Sequence, residues 1–587
     1  MRRLSNGEVF VGGKYRLMNE IGLQCNSINV VLFPKRFGTK LNLSVFLLIV
    51  GLSSVLCFCG LGNRTLWQDE GETAVLAQRV LKDGIPKALS GEHNLVYWDD
   101  QSIPQYDENY RWICHPWGQF YLVAASFELF GQTTFAARFP FALCGVLTVA
   151  LLYVFAWRHW HSLAVAALSA LLLATSTAFV LHCRQCRYYG LSALTCLAIV
   201  VVFVELMKRP CRLWSSMFGL ALAAQFYSDF GTLTVILPGL AVSLWPMGAR
   251  KKEMAAAAKG FVLAALLMVP GLLLHWNRLM TAGKGGHKFL RVMPINIYYF
   301  DNWFIPLVFV LPAGILFVRR LVKSRERLSE QDRIIITCVL ITVSAVVGMG
   351  WAEPVSNLRY IVPQISFAKL LLALIILRCY KILLREHLPS LAAKAVVLVN
   401  ILILMFSNVF GLVTHYLVHP KARYKVLDFC SKTTPSVRTE LAGLIYEMTH
   451  NFICPDRVAV NVVNDLAKAG ETVAIDYSGL VIMFYRPDLR VYYGYTLSNL
   501  QMLPDLFIKC QTPGDINEEV LRKYSYVCLT FDVPAAFFAA NIPEPGKHLF
   551  ATSENRVSFK IYLRADHKDR LLRLPQTAKE LEVLWCR

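Results

Sequence analysis

The sequence predicts a polytopic α-helical membrane protein with a small external α/β domain at its C-terminal end. Three observations carry that reading. Hydrophobic residues make up 55% of the 587 and the mean hydropathy is +0.45, more apolar than soluble globular chains ordinarily are. Lys and Arg outnumber Asp and Glu by 60 to 40, yet the excess falls in short stretches between apolar runs. Beyond residue 420 the composition turns ordinary for a soluble domain.

A helix crosses the hydrocarbon with roughly 20 mostly apolar residues. About eleven segments meet that requirement: 41 to 61, 135 to 157, 161 to 181, 188 to 207, 213 to 228, 230 to 247, 256 to 276, 302 to 320, 332 to 351, 360 to 379 and 391 to 416. Cytoplasmic loops collect Lys and Arg, and placing the N-terminus inside gathers nearly every basic cluster on one side. Arg2, Arg3, Lys14, Arg16, Lys35, Arg36 and Lys40 lie in the basic segment 1–40; Lys208, Arg209, Arg250, Lys251, Arg319, Arg320, Arg378 and Lys381 lie in later inside loops. Topology thus accounts for the net charge of +20, and no nucleic-acid partner is expected. The first apolar segment lacks a small-residue cleavage site and reads as a retained helix. An odd number of spans puts residues 417–587 outside.

The loop after the first span is acidic, with Asp69, Glu70, Glu72, Asp83, Glu92, Asp99, Asp100, Asp107 and Glu108. From Asp69 the pattern turns helical: Asp69 with Glu72 resembles a capping box, Ala74, Ala77, Val80 and Leu81 share a face, and Gly84 with Pro86 ends it. A second short, aromatic-rich helix is expected from Pro116 to Phe130, stopped by Gly131. Both are too short or too charged to span and are expected to lie in the interface, within an external loop of residues 62–131. In the C-terminal region, helix patterns at Asp456 to Ala469 and Ser498 to Ile508 alternate with strand patterns at Thr472 to Asp476, Arg490 to Tyr495, Tyr524 to Phe531 and Val557 to Leu563.

The 16 cysteines show no scaffold spacing. Cys183 and Cys186 form a CxxC beside His182, a metal-ligand spacing that packing cysteines also produce. Cys430 and Cys454 could pair in the external domain.

Once topology explains the inside charges, the basic residues on the outer face carry information. They are Arg184 and Arg187, then Arg278, Lys284, Lys288 and Arg291, then Arg359. Three loops converging on one face suit an anion at the membrane surface, where single cations would otherwise only snorkel to headgroups. An acidic loop facing such cations suits transfer of a group from a lipid phosphate. The leaving phosphate needs positive charge and the incoming hydroxyl needs a carboxylate to take its proton.

The stretches LWQDEGETAVLAQRVLKDG (66 to 84), HPWGQFYLVAASFELFG (115 to 131) and FAARFPFALCGVLTVALLYVFA (135 to 156) resemble the GT-C class of polyprenyl-phosphate-dependent glycosyltransferases. The likeness is to the aminoarabinose transferases of lipid A and the protein O-mannosyltransferase superfamily. CRYYGL at Cys186 to Leu191, the span near Tyr227 and LRYIVPQ at Leu358 to Gln364 fit the same pattern. The resemblance covers residues 41–416 and, more weakly, the external domain after them.

It implies a catalytic base at Asp69 with Glu70 beside it. It also implies Arg-Tyr pairs at Arg187–Tyr188 and Arg359–Tyr360, whose arginines hold the lipid phosphate together with Lys284, Lys288 or Arg291. His115 stands in a His-Pro-Trp run where relatives often read His-Pro-Pro. Some relatives hold a divalent metal near this loop, for which His115 and His287 are the candidates here. Asp229 faces the same side and could meet sugar hydroxyls, or serve only its turn.

The resulting expectation is an inverting membrane glycosyltransferase of the cell envelope. Its donor would be a polyprenyl-phosphate-linked sugar, its acceptor a lipid, glycan or protein hydroxyl, its surroundings membrane lipid, its location a bacterial cytoplasmic membrane. The expectation names no cofactor beyond a candidate divalent metal, and no nucleotide site. The alternatives are a transporter or flippase of lipid-linked glycans and a polysaccharide polymerase or ligase; the near absence of charge within the spans disfavours passage.

Overall fold

The computed structural model describes residues 40–97, 104–276, 279, 289–324, 328–352, 357–385, 389–411, 440–449, 455–476, 478–493, 503–509, 526–534, 556–573 and 584–586. The apolar segments fold as helix over most of their described residues. The chain opens with α1 (Lys40–Phe58), followed by the amphipathic α2 (Gln68–Asp83). A two-strand hairpin, β1 (Leu89–Ser90) and β2 (Asn94–Leu95), leads to α3 (Gly118–Phe130). The bundle continues with α4 (Thr134–Trp160), α5 (Leu163–Ala174), α6 (Thr177–Cys183), α7 (Tyr189–Lys208), α8 (Arg212–Ser228), α9 (Phe230–Ser243) and α10 (Lys251–Leu274). Its second half comprises α11 (Phe289–Tyr299), α12 (Leu307–Ser324), α13 (Glu330–Ala352), the short α14 (Leu358–Ile361), α15 (Ile365–Arg385) and α16 (Ser390–Phe406).

Six single helices are long and apolar enough to cross a membrane, and up to eight spans result if each bent pair is counted as one. The bent pairs are α5 with α6, at 61°, and 292–304 with 307–322, at 93°. The second break has a local cause: Pro306 denies helical geometry to Ile305, which is extended at φ −154°, ψ 118°. Asp301 Oδ1 then accepts the Leu307 amide at 2.5 Å, supplying a partner that the interrupted helix cannot. The other three expected spans, α8, α9 and α16, have 17, 14 and 17 residues.

Lipid gives helices no hydrophobic drive towards each other, so close backbone approach at small residues matters. A Cβ at Gly219 would lie 2.7 Å from the Gly260 carbonyl oxygen, joining α8 to α10. One at Gly239 would lie 2.7 Å from Ile341 Cα, joining α9 to α13. At one end of the bundle Arg158 pairs with Glu205 at 2.6 Å, His159 meets Glu330 at 2.9 Å, and Lys208 pairs with Glu330. The opposite end carries α2, α3 and the C-terminal region.

α2 does not begin as its sequence predicts. Trp67 is the extended residue before the helix, and Glu70, not Glu72, reaches back to accept the Trp67 amide at 3.2 Å. The Asp69 side chain is therefore free of capping duty. Gly84 stops the helix in the left-handed region at φ 76°.

The C-terminal region contains α17 (Glu440–Thr449), α18 (Pro455–Leu466), α19 (Gly479–Tyr485) and strands β3 (Thr472–Ile475), β4 (Arg490–Tyr493), β5 (Leu506–Lys509), β6 (Tyr526–Pro534), β7 (Arg556–Arg564) and β8 (Leu584–Cys586). The sheet order is β4-β3-β5-β7-β6-β8, with β3 parallel to both β4 and β5 and the remaining pairs antiparallel. The helix expected at 498–508 is contradicted at its end: Leu506, Phe507 and Ile508 are strand. They lie between two neighbouring strands and are buried on both faces, and an apolar run of that kind has no helical period to distinguish it.

This region shares one apolar core with the first loop: Leu66, Val75, Trp112, Phe120 and Phe127 pack with Ile475, Leu480 and Phe484. α19 lies on α2, where a Cβ at Gly71 would come within 2.9 Å of the Leu480 backbone. Asn94 accepts the Val491 amide and donates to the Leu489 carbonyl, both at 2.8 Å, so the loop satisfies the β4 edge. Tyr493 Oη accepts from Tyr97 N and donates to Tyr97 O, each at 2.7 Å.

Candidate active site

The site is organised around a buried ion pair that composition alone does not announce. Arg138, near the start of α4, donates to both carboxylate oxygens of Glu70, at 2.7 and 2.6 Å. Its remaining N–H groups reach the carbonyls of Leu61, Arg64 and Thr65, each at 3.0 Å. All five guanidinium donors are thereby used. Glu70, fully buried, also accepts the Cys186 amide at 2.7 Å. One carboxylate thus fixes α2, the chain entering it and the turn after α6 relative to each other.

Asp69 points elsewhere. Its Oδ2 accepts Arg359 Nη1 at 2.7 Å, and both side chains are about one-fifth exposed, 19% and 22%. Arg359 stands at the start of α14, where Asn357 Oδ1 accepts its amide at 3.2 Å. Behind Asp69 the buried Arg187 donates to the Asp69 carbonyl at 3.1 Å, to Thr73 Oγ1 at 3.2 Å and to Glu72 Oε1 at 2.8 Å.

His115 Nδ1 lies 3.2 Å from the same Glu72 oxygen. Burial pushes the Glu72 carboxyl up, but the charges of Arg187 and His115 outweigh it and hold the pKa at about 2. Burial disfavours a charged His115, yet Cys114 and Glu72 raise it to about 9. The pair is charged at neutral pH.

The other sequence-predicted residues divide. Tyr188 is buried against the His115 and Tyr189 rings, with centroids 6.2 and 4.7 Å away. Asp229 caps α9 by accepting the Thr232 amide at 3.2 Å, and Ser192 donates to it at 3.2 Å. Arg184 is drawn away to the carbonyls of Leu56 and Cys57 at 3.0 and 3.1 Å. Lys284, Lys288, His287, Arg278, Cys430 and Cys454 lie outside the described residues, as does the side chain of Arg291. His182 Nδ1 bonds the Ala178 carbonyl at 2.6 Å, and Cys183 and Cys186 are buried free thiols.

A metal does not fit at His115. Its Nε2 is 3.4 Å from Arg187 Nη2, so a cation held there would face a guanidinium. Among the described residues the one gathering of ligand-type atoms is Glu471, Asp505 and His567, where Arg570 and Arg564 already supply the positive charge at 2.7 and 2.8 Å.

Sequence reasoning passed over Arg138, Glu72 as an ion-pair partner, and Tyr189. Arg138 had a visible signal: a lone arginine one turn into an otherwise apolar span.

Comparison with known proteins follows the same outline. Residues 114–275 match the family described as dolichyl-phosphate-mannose-protein mannosyltransferase. ArnT from Cupriavidus metallidurans, solved bound to undecaprenyl phosphate, superposes with a TM-score of 0.52 at 13% identity, over 88% of this chain and 97% of that one. Its apo structure gives 0.51 at 14%, over 89% and 98%. No curated protein matches the sequence. The chain therefore has the fold of ArnT, and its stretch from α3 through α10 is similar to the dolichyl-phosphate-mannose-protein mannosyltransferase family.

Proposed function

We propose that this protein transfers a sugar from a polyprenyl-phosphate donor to an acceptor hydroxyl at the external membrane face, with inversion at the anomeric carbon. The observation that carries the reading is the partly exposed Asp69–Arg359 pair at 2.7 Å, set on a buried frame of Glu70, Arg138, Arg187 and Glu72. A carboxylate and a cation side by side supply the two charges that glycosyl transfer from a phosphate needs. The undecaprenyl phosphate bound to ArnT supports a lipid phosphate as the donor's carrier.

In the proposed step, the acceptor oxygen attacks the anomeric carbon while its proton passes to Asp69. The bond from that carbon to the phosphate oxygen breaks, and its electron pair leaves on the lipid phosphate, which Arg359 stabilises. On sequence grounds one of Lys284, Lys288 or Arg291 adds to the phosphate clamp. Glu70 and Arg187 act as positioning residues, because their charges are matched by Arg138 and Glu72. Asp229 and Tyr188 are the candidates for contact with the sugar.

Reconstitution of the full chain in liposomes with radiolabelled undecaprenyl-phosphate hexose, scored for glycoside product, tests this reading. Product formed by the wild type and abolished in Asp69→Asn is expected. Vectorial movement of intact lipid without product would instead establish the flippase alternative.

A further inference from the structure

Next to the Asp69–Arg359 pair lies a set of buried polar atoms that the proposed chemistry leaves unused. Tyr189 opens α7 and is 1% exposed, and among the described residues its Oη has no hydrogen-bond partner. His182, also 1% exposed, ends α6 with its ring edge-on to Tyr189 at a centroid distance of 5.3 Å. A carbonyl can only accept, so the Nδ1 that meets Ala178 O carries the proton, and Nε2, which in the neutral ring presents a lone pair, has no partner among the described residues. Gln364, 1% exposed, closes the 3-10 turn Val362–Gln364 that follows α14 and packs against α6 and α7. Among the described residues, both its amide nitrogen and its amide oxygen are unpartnered.

Orphaned buried polar atoms are rare in folded proteins, because each costs free energy that a lost hydrogen bond does not return. These stand on three adjoining elements, with Tyr189 within electrostatic reach of Asp69, and a bound ligand would complete them. Their chemistry describes it. A phenol, an imidazole lone pair and a primary amide offer neutral donors and acceptors with the variety that sugar hydroxyls need. None of the three side chains is anionic, so an ammonium substituent buried among them would lack a counter-charge.

We infer that Tyr189, His182 and Gln364 form the subsite for the donor's sugar ring, and that the sugar is an uncharged, hydroxyl-bearing one. This rests on the glycosyltransferase reading above.

The test compares three probes on the full chain in nanodiscs: undecaprenyl phosphate, undecaprenyl-phosphate mannose and undecaprenyl-phosphate 4-amino-4-deoxyarabinose. Tyr189→Phe removes only the hydroxyl, and Gln364→Met keeps the volume without the amide; thermal unfolding confirms that each variant folds. Loss of one hydrogen bond to the sugar weakens mannolipid binding by about tenfold in each variant. Affinity for undecaprenyl phosphate stays within about twofold, because that probe carries no sugar. Equal weakening for both probes, no weakening for either, or preference of the wild type for the amino sugar would overturn the inference. Its failure is separable from that of the transfer reading. If the wild type makes glycoside product but the variants discriminate nothing, only the subsite falls; if selective binding is seen without product, only the transfer reading falls.

Discussion

Arg359 Nη1 and Asp69 Oδ2 are 2.7 Å apart, so the proposed base and the proposed phosphate-binding cation hold each other in the ligand-free protein. In the proposed mechanism, a donor phosphate arriving at Arg359 competes for that guanidinium and releases the Asp69 carboxylate towards an acceptor hydroxyl. Donor binding and base availability are thereby coupled by one side chain.

Asp69→Asn removes proton acceptance while keeping size. Turnover is expected to fall by about 10²–10⁴-fold, with donor affinity unchanged or improved because Arg359 loses its competitor. Single-turnover product formation and donor binding, measured on the same preparation, check both halves.

Arg359→Gln removes the cation and is expected to act mainly on the donor. KM for the lipid-linked sugar should rise by about tenfold or more, as loss of a charge-assisted bond implies. The salt dependence of donor binding should flatten, since one screened charge is gone.

The Glu70–Arg138 pair is a stability determinant. Breaking it in Glu70→Gln or Arg138→Leu leaves a buried charge or a set of carbonyls unmatched, costing about 3–5 kcal/mol in thermal or denaturant unfolding in detergent. The double variant Glu70→Gln/Arg138→Leu is expected to be less destabilised than the sum of the singles, because neither partner is then abandoned.

The Glu72–His115 pair makes stability depend on pH. His115 is raised from its ordinary 6.5 to about 9, so its contribution is complete below pH 6.5 and is lost as pH rises through 9. Glu72 is lowered from 4.5 to about 2, so its contribution is complete above pH 4.5 and is lost as pH falls through 2. The contribution of the pair is therefore greatest between pH 4.5 and 6.5, and His115→Gln should abolish the decline on the alkaline side. Midpoints of thermal unfolding measured from pH 4 to pH 9.5 in both proteins decide it.

Gly71 tests the contact between α2 and α19. A valine there must displace the Leu480 backbone, which lies 2.9 Å from the added Cβ. A penalty of about 1–3 kcal/mol is expected, together with faster amide exchange in α19 by hydrogen–deuterium exchange. An exchange pattern in Gly71→Val identical to wild type would contradict this docking.

The sequence by itself determined the membrane class, because a bilayer demands long apolar helices and cytoplasmic loops hold Lys and Arg. It located α2 and α3 and singled out Asp69 and Arg359. It was silent where the outcome depends on residues distant in the chain. Glu70 and Arg138 are 68 positions apart, Asp69 and Arg359 are 290 apart, and no local period encodes either pairing. Local patterning also misread Leu506 to Ile508, since a central strand buried on both faces leaves no alternation to detect. Arg187 and Arg359 look alike in sequence, each followed by tyrosine. The fold separates them: Arg187 is buried against Glu72, whereas Arg359 is partly exposed beside Asp69, the position that the proposed exchange of a carboxylate for a phosphate needs.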